Sequence, residues 1–443
     1  MTEAATAVAF PHAPVLARPG RRVALGLLAA IGTINFIDRQ ILSVLVEPMR
    51  VELHFTDTQF GFLTGLSFAV FYALLGVPVA ILADRTHRVR LVAVACLLWS
   101  LFTGVCGFAT TFWQLALARF GVGVGKAGGT APSLSILADY YPPEQRAIVT
   151  GVFTVNGPLG VFLGSTLGAL AASYIGWRGA FFSISALGMI ATPLLLLCVR
   201  EPQRGIMEAG RAPIGADGKA AATPFLQTAG LFFKRPTLGL LLLASGLSAF
   251  VSYGMLNWIP AYLMRVQHMP LSELARWFGP AAGLCMGIGI WGGGALVNAA
   301  GKRSPKAYAL IPALSMLINA PAFALALFAP SWQVSLTLLL LPMICVTMYV
   351  APALALVTNM APVTARATAT ALLLLAFNII GLGGGPLSIG ILSDLFTHAH
   401  GASGLQAALF CVVPVSVIAA AAYYAMSRTV VADMARSQSE QTL

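Results

Sequence analysis

Residues 23–46 read VALGLLAAIGTINFIDRQILSVLV, twenty-four residues whose formal charges are Asp38 and Arg39. At 1.5 Å of rise per residue, such a helix is about 36 Å long, enough to cross the roughly 30 Å hydrocarbon core of a bilayer. Comparable runs follow at 59–82, 89–108, 112–138, 147–173 and 178–198, and again at 237–263, 277–298, 307–328, 331–357, 367–392 and 404–427. The spacing predicts an all-α membrane protein with twelve transmembrane helices in two six-helix bundles.

Composition excludes the alternatives. Of 443 residues, 58% are apolar and 9% charged, against roughly 25% charged in a soluble domain. The net charge of +11 would suggest nucleic acid in a soluble chain, but here the excess sits in connections and reports topology. Nineteen of the 26 basic residues fall at the termini and in alternate connections, and four (Arg50, Arg178, Arg265, Arg276) in the others. The bias predicts a multi-pass protein of the inner membrane with both termini cytoplasmic. It divides the chain into a tail (1–22), an N-terminal bundle (23–198), a cytoplasmic linker (199–236), a C-terminal bundle (237–427) and a second tail (428–443). Arg18, Arg21 and Arg22 precede a long run without a small-residue cleavage site, so the first helix is read as retained. The six cysteines lie inside apolar runs and read as packing residues, with no disulfide.

The halves echo each other. Ala80-Ile81-Leu82-Ala83-Asp84-Arg85-Thr86-His87-Arg88 follows the second run, and Gly294 to Arg303 follows the eighth. Pro143-Glu144-Gln145-Arg146-Ala147 precedes the fifth, and Pro362-Val363-Thr364-Ala365-Arg366-Ala367 the eleventh. Repeats on this scale build facing bundles with a site between them.

These residues resemble the major facilitator superfamily. The 80–88 stretch is similar to its loop 2–3 signature, Arg119 with Gly121, Gly123 and Gly125 to its fourth-helix signature, and Gly151 through Asn156-Gly157-Pro158 to Gly164 to a fifth-helix pattern of exporters and antiporters. Asn35-Phe36-Ile37-Asp38-Arg39-Gln40 and Tyr141-Pro142-Pro143-Glu144-Gln145-Arg146 resemble the spinster-like branch, whose characterised relatives are lipid and lysolipid exporters. That branch usually carries Glu where this chain has Lys126.

Independently of any family, four formal charges lie deep in the runs: Asp38, Arg39, Arg119 and Lys126. Unpaired at mid-membrane they would together cost about 10–14 kcal/mol. The first helix runs outward and the fourth inward, so Asp38 and Arg119 reach matching depth. Arg119 and Lys126 are two turns apart, about 10 Å along one face, and an anionic head could span them. The expected substrate site is therefore cationic, with Asn35, Arg39, Arg119 and Lys126, and Asp38 is the carboxylate for proton coupling. The competing reading is a permanent network of Asp38, Arg39 and Arg119 joining the first and fourth helices. Replacement of Lys126 by Ala is expected to weaken anion transport with folding intact. The C-terminal half offers Tyr253, Asn257, Trp258, Tyr349 and Asn378 as an aromatic, apolar wall, or else as core and interfacial residues.

The resemblance implies that Asp84, Arg85 and Arg88, with Arg146 as a neighbour, latch the halves at the cytoplasmic end; Asn156, Gly157 and Pro158 are expected to permit bending of the fifth helix. Gly160, Gly164 and Gly168, with Gly283 and Gly287, read as close-packing seams. Gly123-x-Gly125-x-x-Gly128 has no preceding strand and is not a nucleotide site. Asp394, His398 and His400 read as a solvated loop rather than a metal site. No cofactor and no enzymatic activity are expected. The expected function is secondary active transport of a lipid-like or drug-like amphipathic anion by a monomer, by proton-coupled export. Uptake of a small organic acid is the nearest rival, and a sensor is more remote.

Overall fold

The computed structural model describes residues 18–67, 69–70, 78–79, 82–83, 85–204, 207, 225–362 and 365–442. Asp84, most of the 1–22 tail and much of the linker lie outside the described residues. Among the described residues, nine helices are long and apolar enough to cross a membrane. Three local features separate nine from twelve. The run Pro143–Cys198 holds two crossings, divided at Gly176, whose φ of +72° is the left-handed conformation that favours glycine. Crossing 4 is split into Phe112–Lys126 and Thr130–Tyr140. Crossing 2 is described only in part, from Asp57. With these counted, the chain has the twelve-crossing architecture expected of it, and there is no strand among the described residues.

Crossing 1 is Arg18–Val44 and crossing 3 Arg88–Cys106. Crossing 5 begins as Pro143–Thr154 and continues from Asn156. Crossings 7, 8 and 9 are Pro236–Arg265, Gly279–Gly301 and Ala307–Leu327. Crossing 10 is Trp332–Cys345 plus Val350–Met360, and crossing 11 runs from Arg366 to His400 through wide π turns at Phe377–Gly384. Crossing 12 ends as Val412–Thr442, so the 428–442 stretch continues a helix and buries Asp433 and Ser437. Crossings 1 and 7 start at the same end, here called the linker end; the opposite end is the far end.

The ends follow from capping chemistry. Thr56 and Gln59 form a reciprocal capping box that opens crossing 2. Thr111 and Ser331 cap crossings 4 and 10 at equivalent places in the two halves. Both of these helices break mid-way. In crossing 4, the amides of Gly128 and Gly129 turn back three residues to Gly125 and Lys126, and in crossing 10 those of Thr347 and Met348 turn back to Ile344 and Cys345.

Glycines set how closely helices approach. A Cβ at Gly160 would lie 2.2 Å from the Phe36 Cβ, and one at Gly168 2.9 Å from Ile41, so crossing 5 seats directly on crossing 1. On its other side, Gly283 faces the Pro158 carbonyl and Phe162. Both seams are close-packed, as the glycine spacing predicts. Replacement of Gly160 by Val is expected to cost about 1–3 kcal/mol by overpacking, read as a lower Tm in detergent; an unchanged Tm would show that the seam tolerates a side chain.

Candidate functional site

Asp38 is fully buried within crossing 1, and three side chains from crossings 3 and 4 converge on it. Lys126 Nζ lies 2.5 Å from Oδ2, Arg119 Nη1 3.3 Å from Oδ1, and the Thr103 hydroxyl of crossing 3 donates to Oδ1. Lys126 ends the first length of crossing 4, where exposed helix carbonyls favour a cation, and its ammonium also donates to the Asn35 carbonyl at 2.9 Å. The residue that spans Arg119 and Lys126 is thus Asp38 itself. Of the competing reading, a network of Asp38, Arg39 and Arg119, the Asp38–Arg119 pair is present, and Lys126 and Thr103 complete the contacts to Asp38. Arg39 stacks on the Tyr253 ring at 4.7 Å, across the boundary between the halves.

Other residues expected to form a substrate wall have structural partners. Asn257 accepts from the Ser43 hydroxyl at 2.9 Å, a second contact between the halves. Trp258 is buried, donates to the Pro386 carbonyl and packs edge-on against Phe60 at 5.1 Å. It fills the junction of crossings 2, 7 and 11 rather than lining an opening. Asn378 donates to its own helix at Leu374. Tyr349 is buried edge-on to Phe377, and with Tyr253, Met255, Met286 and Met343 it lines a cavity of about 80 Å³ between crossings 7, 8 and 10.

At the far end lies a network that the sequence reading missed. Arg265, closing crossing 7, pairs with Glu47 and Asp57, each at 2.6 Å. The Ser393 hydroxyl donates to Asp57, and Asp394 accepts the amides of Asp57 and Thr58 at 3.0 and 2.8 Å. Asp394 is therefore not a residue of a solvated loop; it lies in crossing 11 and caps crossing 2. Bare backbones meet beneath it, where a Cβ at Gly61 would lie 2.5 Å from the Pro386 carbonyl and one at Gly65 2.6 Å from that of Leu382. The legible signal was symmetry: Glu47, in the short helix Val46–Leu53 that follows crossing 1, and Arg265, which closes crossing 7, stand at the ends of equivalent helices of the two halves.

Burial raises the Asp57 carboxyl, but hydrogen bonding and charge from Arg265, with the Ser393 hydroxyl and Arg50, outweigh it and hold the group below the usual carboxylate range. A depressed carboxyl contributes its stability above the ordinary value and loses it as pH falls through the depressed one. Far-end closure is therefore expected to be flat around neutral pH and to loosen only in strong acid. Labelling of a cysteine at Ser43, beneath the network, checks this across a pH series; loosening on mild acidification would exclude Asp57 as the controlling group.

At the linker end, Arg88 does not reach across the halves. It is buried and pairs with Asp139 at 2.5 Å and Glu201 at 2.7 Å, tying crossing 3 to crossing 4 and to the start of the linker. Arg85 is exposed, Arg146 donates to the Tyr141 carbonyl, and their expected partner Asp84 lies outside the described residues. Asn156, Gly157 and Pro158 follow a break in crossing 5 at Val155. A Cβ at Gly157 would lie 3.6 Å from Met286 and 3.7 Å from Phe36, so the break stands where crossing 5 meets crossings 1 and 8. Among the described residues, no group of three or more acidic, His or Cys side chains is placed to hold a metal ion.

Twelve crossings in two halves of six, in contact through an Arg–Tyr stack and a charged far-end cluster, define a membrane transporter. Residues 28–318 match the Major Facilitator Superfamily, and the chain belongs to it. Within the superfamily it is of the spinster-like branch. The structure of a bacterial homolog to the human lysosomal transporter Spinster, inward-facing and unoccupied, superposes with a TM-score of 0.86 at 30% identity, covering 94% of this chain and 99% of that one. An MFS-type efflux pump of Mycolicibacterium smegmatis is 31% identical over 405 residues, 91% of this chain and 92% of its own. A hexuronate transporter of Bacillus subtilis is 28% identical over 263 residues, 58% of this chain and 61% of its own.

Proposed function

We propose that the protein is a secondary active transporter of an organic anion, working by alternating access between residues 23–198 and 237–427. The observation that carries this reading is the buried cluster of Asp38, Arg119 and Lys126, two cations to one carboxylate, with Arg39 on the boundary between the halves. Such a cluster is sustained in a membrane only beside partners or a hydrated path. Asn35, Arg39, Arg119 and Lys126 are the proposed substrate groups, with Tyr253 and Tyr349, which line the cavity of the other half, facing them as the halves move, and Asp38 is the proton carrier. Asn156, Gly157 and Pro158 are the proposed bending point, and Arg85 and Arg146, with Asp84, the linker-end latch.

The basic residues at the linker end support placing that end in the cytoplasm, and the protein is proposed to lie in the inner membrane and to work as a single chain. The closed far end is then outward. A lipid-like or drug-like substrate and export are supported by the efflux-pump relative. Uptake of a smaller organic acid is supported by the hexuronate transporter. Counterflow of anionic, neutral and cationic probes in inside-out and right-side-out vesicles tests the reading: anion-selective exchange is expected, and exchange of cations alone would overturn it.

A further inference from the structure

We propose that the groove where crossings 8 and 9 part at the linker end binds an anionic phospholipid of the bilayer, its phosphodiester on Arg303, Ser304 and Lys306 and one acyl chain against Leu296, Ala299 and Leu310. The site is separate from the cluster around Asp38 and does not depend on which substrate the protein carries.

The groove follows from the local sequence. Crossing 8 ends in Ala299-Ala300-Gly301 and crossing 9 opens on Ala307, so short side chains line the place where the two helices part. The hollow measures about 580 Å³, within the roughly 300–1,000 Å³ that small ligands occupy. The connection is tightly wound. The amides of Arg303 and Ser304 turn back to the Ala300 carbonyl at 3.0 and 3.1 Å, and that of Ala307 to the Ser304 carbonyl at 3.1 Å. These turns seat Arg303, Ser304 and Lys306 on the same hollow as the apolar residues. The cations follow the last helical residue of crossing 8 and precede the first of crossing 9, at headgroup level, whereas Leu296 and Leu310 lie about one turn into the helices.

Charge selects the occupant. Lys302, Arg303 and Lys306 are exposed and form no ion pair among the described residues. The equivalent connection in the first half is neutralised within the protein: Arg88 lies between Asp139 and Glu201, and His87 also reaches Glu201. Asn298 stands where that half has Asp84, so residues 294–306 carry three positive charges and no acid. Each Lys or Arg near a membrane surface strengthens binding of an acidic lipid about fivefold. A zwitterionic lipid sets its choline cation against the same residues and gains less. An acidic protein segment would meet the cations but leave the apolar part of the groove to acyl chains, so the hollow fits a ligand with both a charged head and a chain.

The test uses the full chain, purified in detergent and given equal amounts of dioleoylphosphatidylglycerol and dioleoylphosphatidylcholine, with bound lipid counted by native mass spectrometry. Phosphatidylglycerol is expected to be retained in preference to phosphatidylcholine, and the double variant Arg303→Gln, Lys306→Gln to lower that preference by on the order of 20-fold. Arg428→Gln, which removes an exposed cation of crossing 12 at the same end, is expected to leave it unchanged. Ala299→Phe fills the hollow without touching a charge; it is expected to lower retention of phosphatidylglycerol as well, and it decides alone should the double variant not fold. Excess glycerol phosphate is expected to leave the lipid in place. Equal retention of the two lipids by the wild type, or unchanged retention in either groove variant, would overturn the site. A loss as large in Arg428→Gln would show general attraction to a basic surface and overturn it too, and displacement by glycerol phosphate would overturn the lipid as occupant.

Discussion

Replacement of Arg265 by Ala is expected to unlock the far end, shifting the balance between closed and open states there by on the order of 100-fold. Arg265 is the shared cation of Glu47 and Asp57, and its side chain is 12% exposed. Removing one partner of a buried pair costs about 3–5 kcal/mol, chiefly because the remaining charge stays buried. Here two carboxylates from crossings 1 and 2 are left facing each other. Since this network joins the halves, the cost falls on the closed state rather than on the fold of either half. A cysteine at Ser43, which bonds Asn257 beneath the network, is expected to react faster with an impermeant maleimide applied from the far side. Arg265→Lys is expected to recover only part of the closure, because an ammonium cannot hold both carboxylates in the two-pronged way of the guanidinium. Unchanged labelling in Arg265→Ala would show that the glycine seam between crossings 2 and 11 closes the end unaided.

Lys126→Ala is the second large effect, and it reaches stability as well as transport. On sequence grounds folding should be untouched, but the ammonium is 1% exposed and paired with Asp38. Its removal leaves a buried carboxylate supported by Arg119 and Thr103 alone, at a cost of about 3 kcal/mol. The variant should melt lower and lose about tenfold or more in transport of an anionic probe. The double variant Asp38→Asn, Lys126→Met is expected to lose less stability than the sum of its single changes, since each neutralises the group the other strands. Additive losses would mean that the two side chains do not interact in the protein in solution. Lys126→Glu puts a second carboxylate beside Asp38, with Arg119 as the close cation. One proton must then be shared between the acids, and a new proton dependence of transport in liposomes is the expected result.

The twelve crossings were legible because hydrophobic length is a local property, written in each run of 20 or so residues. Asp38, Arg119 and Lys126 were legible as a set because a charge in an apolar run stands out without knowledge of its neighbours. Their pairing was not, since the spacing of Arg119 and Lys126 suits an external anion as well as a carboxylate from another helix. Trp258 and Asn257 looked like a substrate wall because an aromatic and an amide in an apolar run carry no mark of whether their polar atoms are already satisfied. Arg88 was read as a latch although Asp139 and Glu201, its partners, lie 51 and 113 residues further along the chain. The far-end network was overlooked for a related reason: Glu47, Asp57, Arg265 and Asp394 sit near helix ends, where charge is ordinary.

What the sequence determined by itself, then, is that this chain must live in a bilayer as two repeated halves and must hide a cationic cluster within the first. Both follow from the cost of placing backbone and charge in hydrocarbon, a cost that each segment meets alone. Only the tertiary structure decided that Asp38 occupies its own cations, that Arg39 lies on Tyr253, and that Arg265 draws the far end shut. Those outcomes depend on which helices touch and at what height, and that is set by glycine seams and packing between segments far apart in the chain.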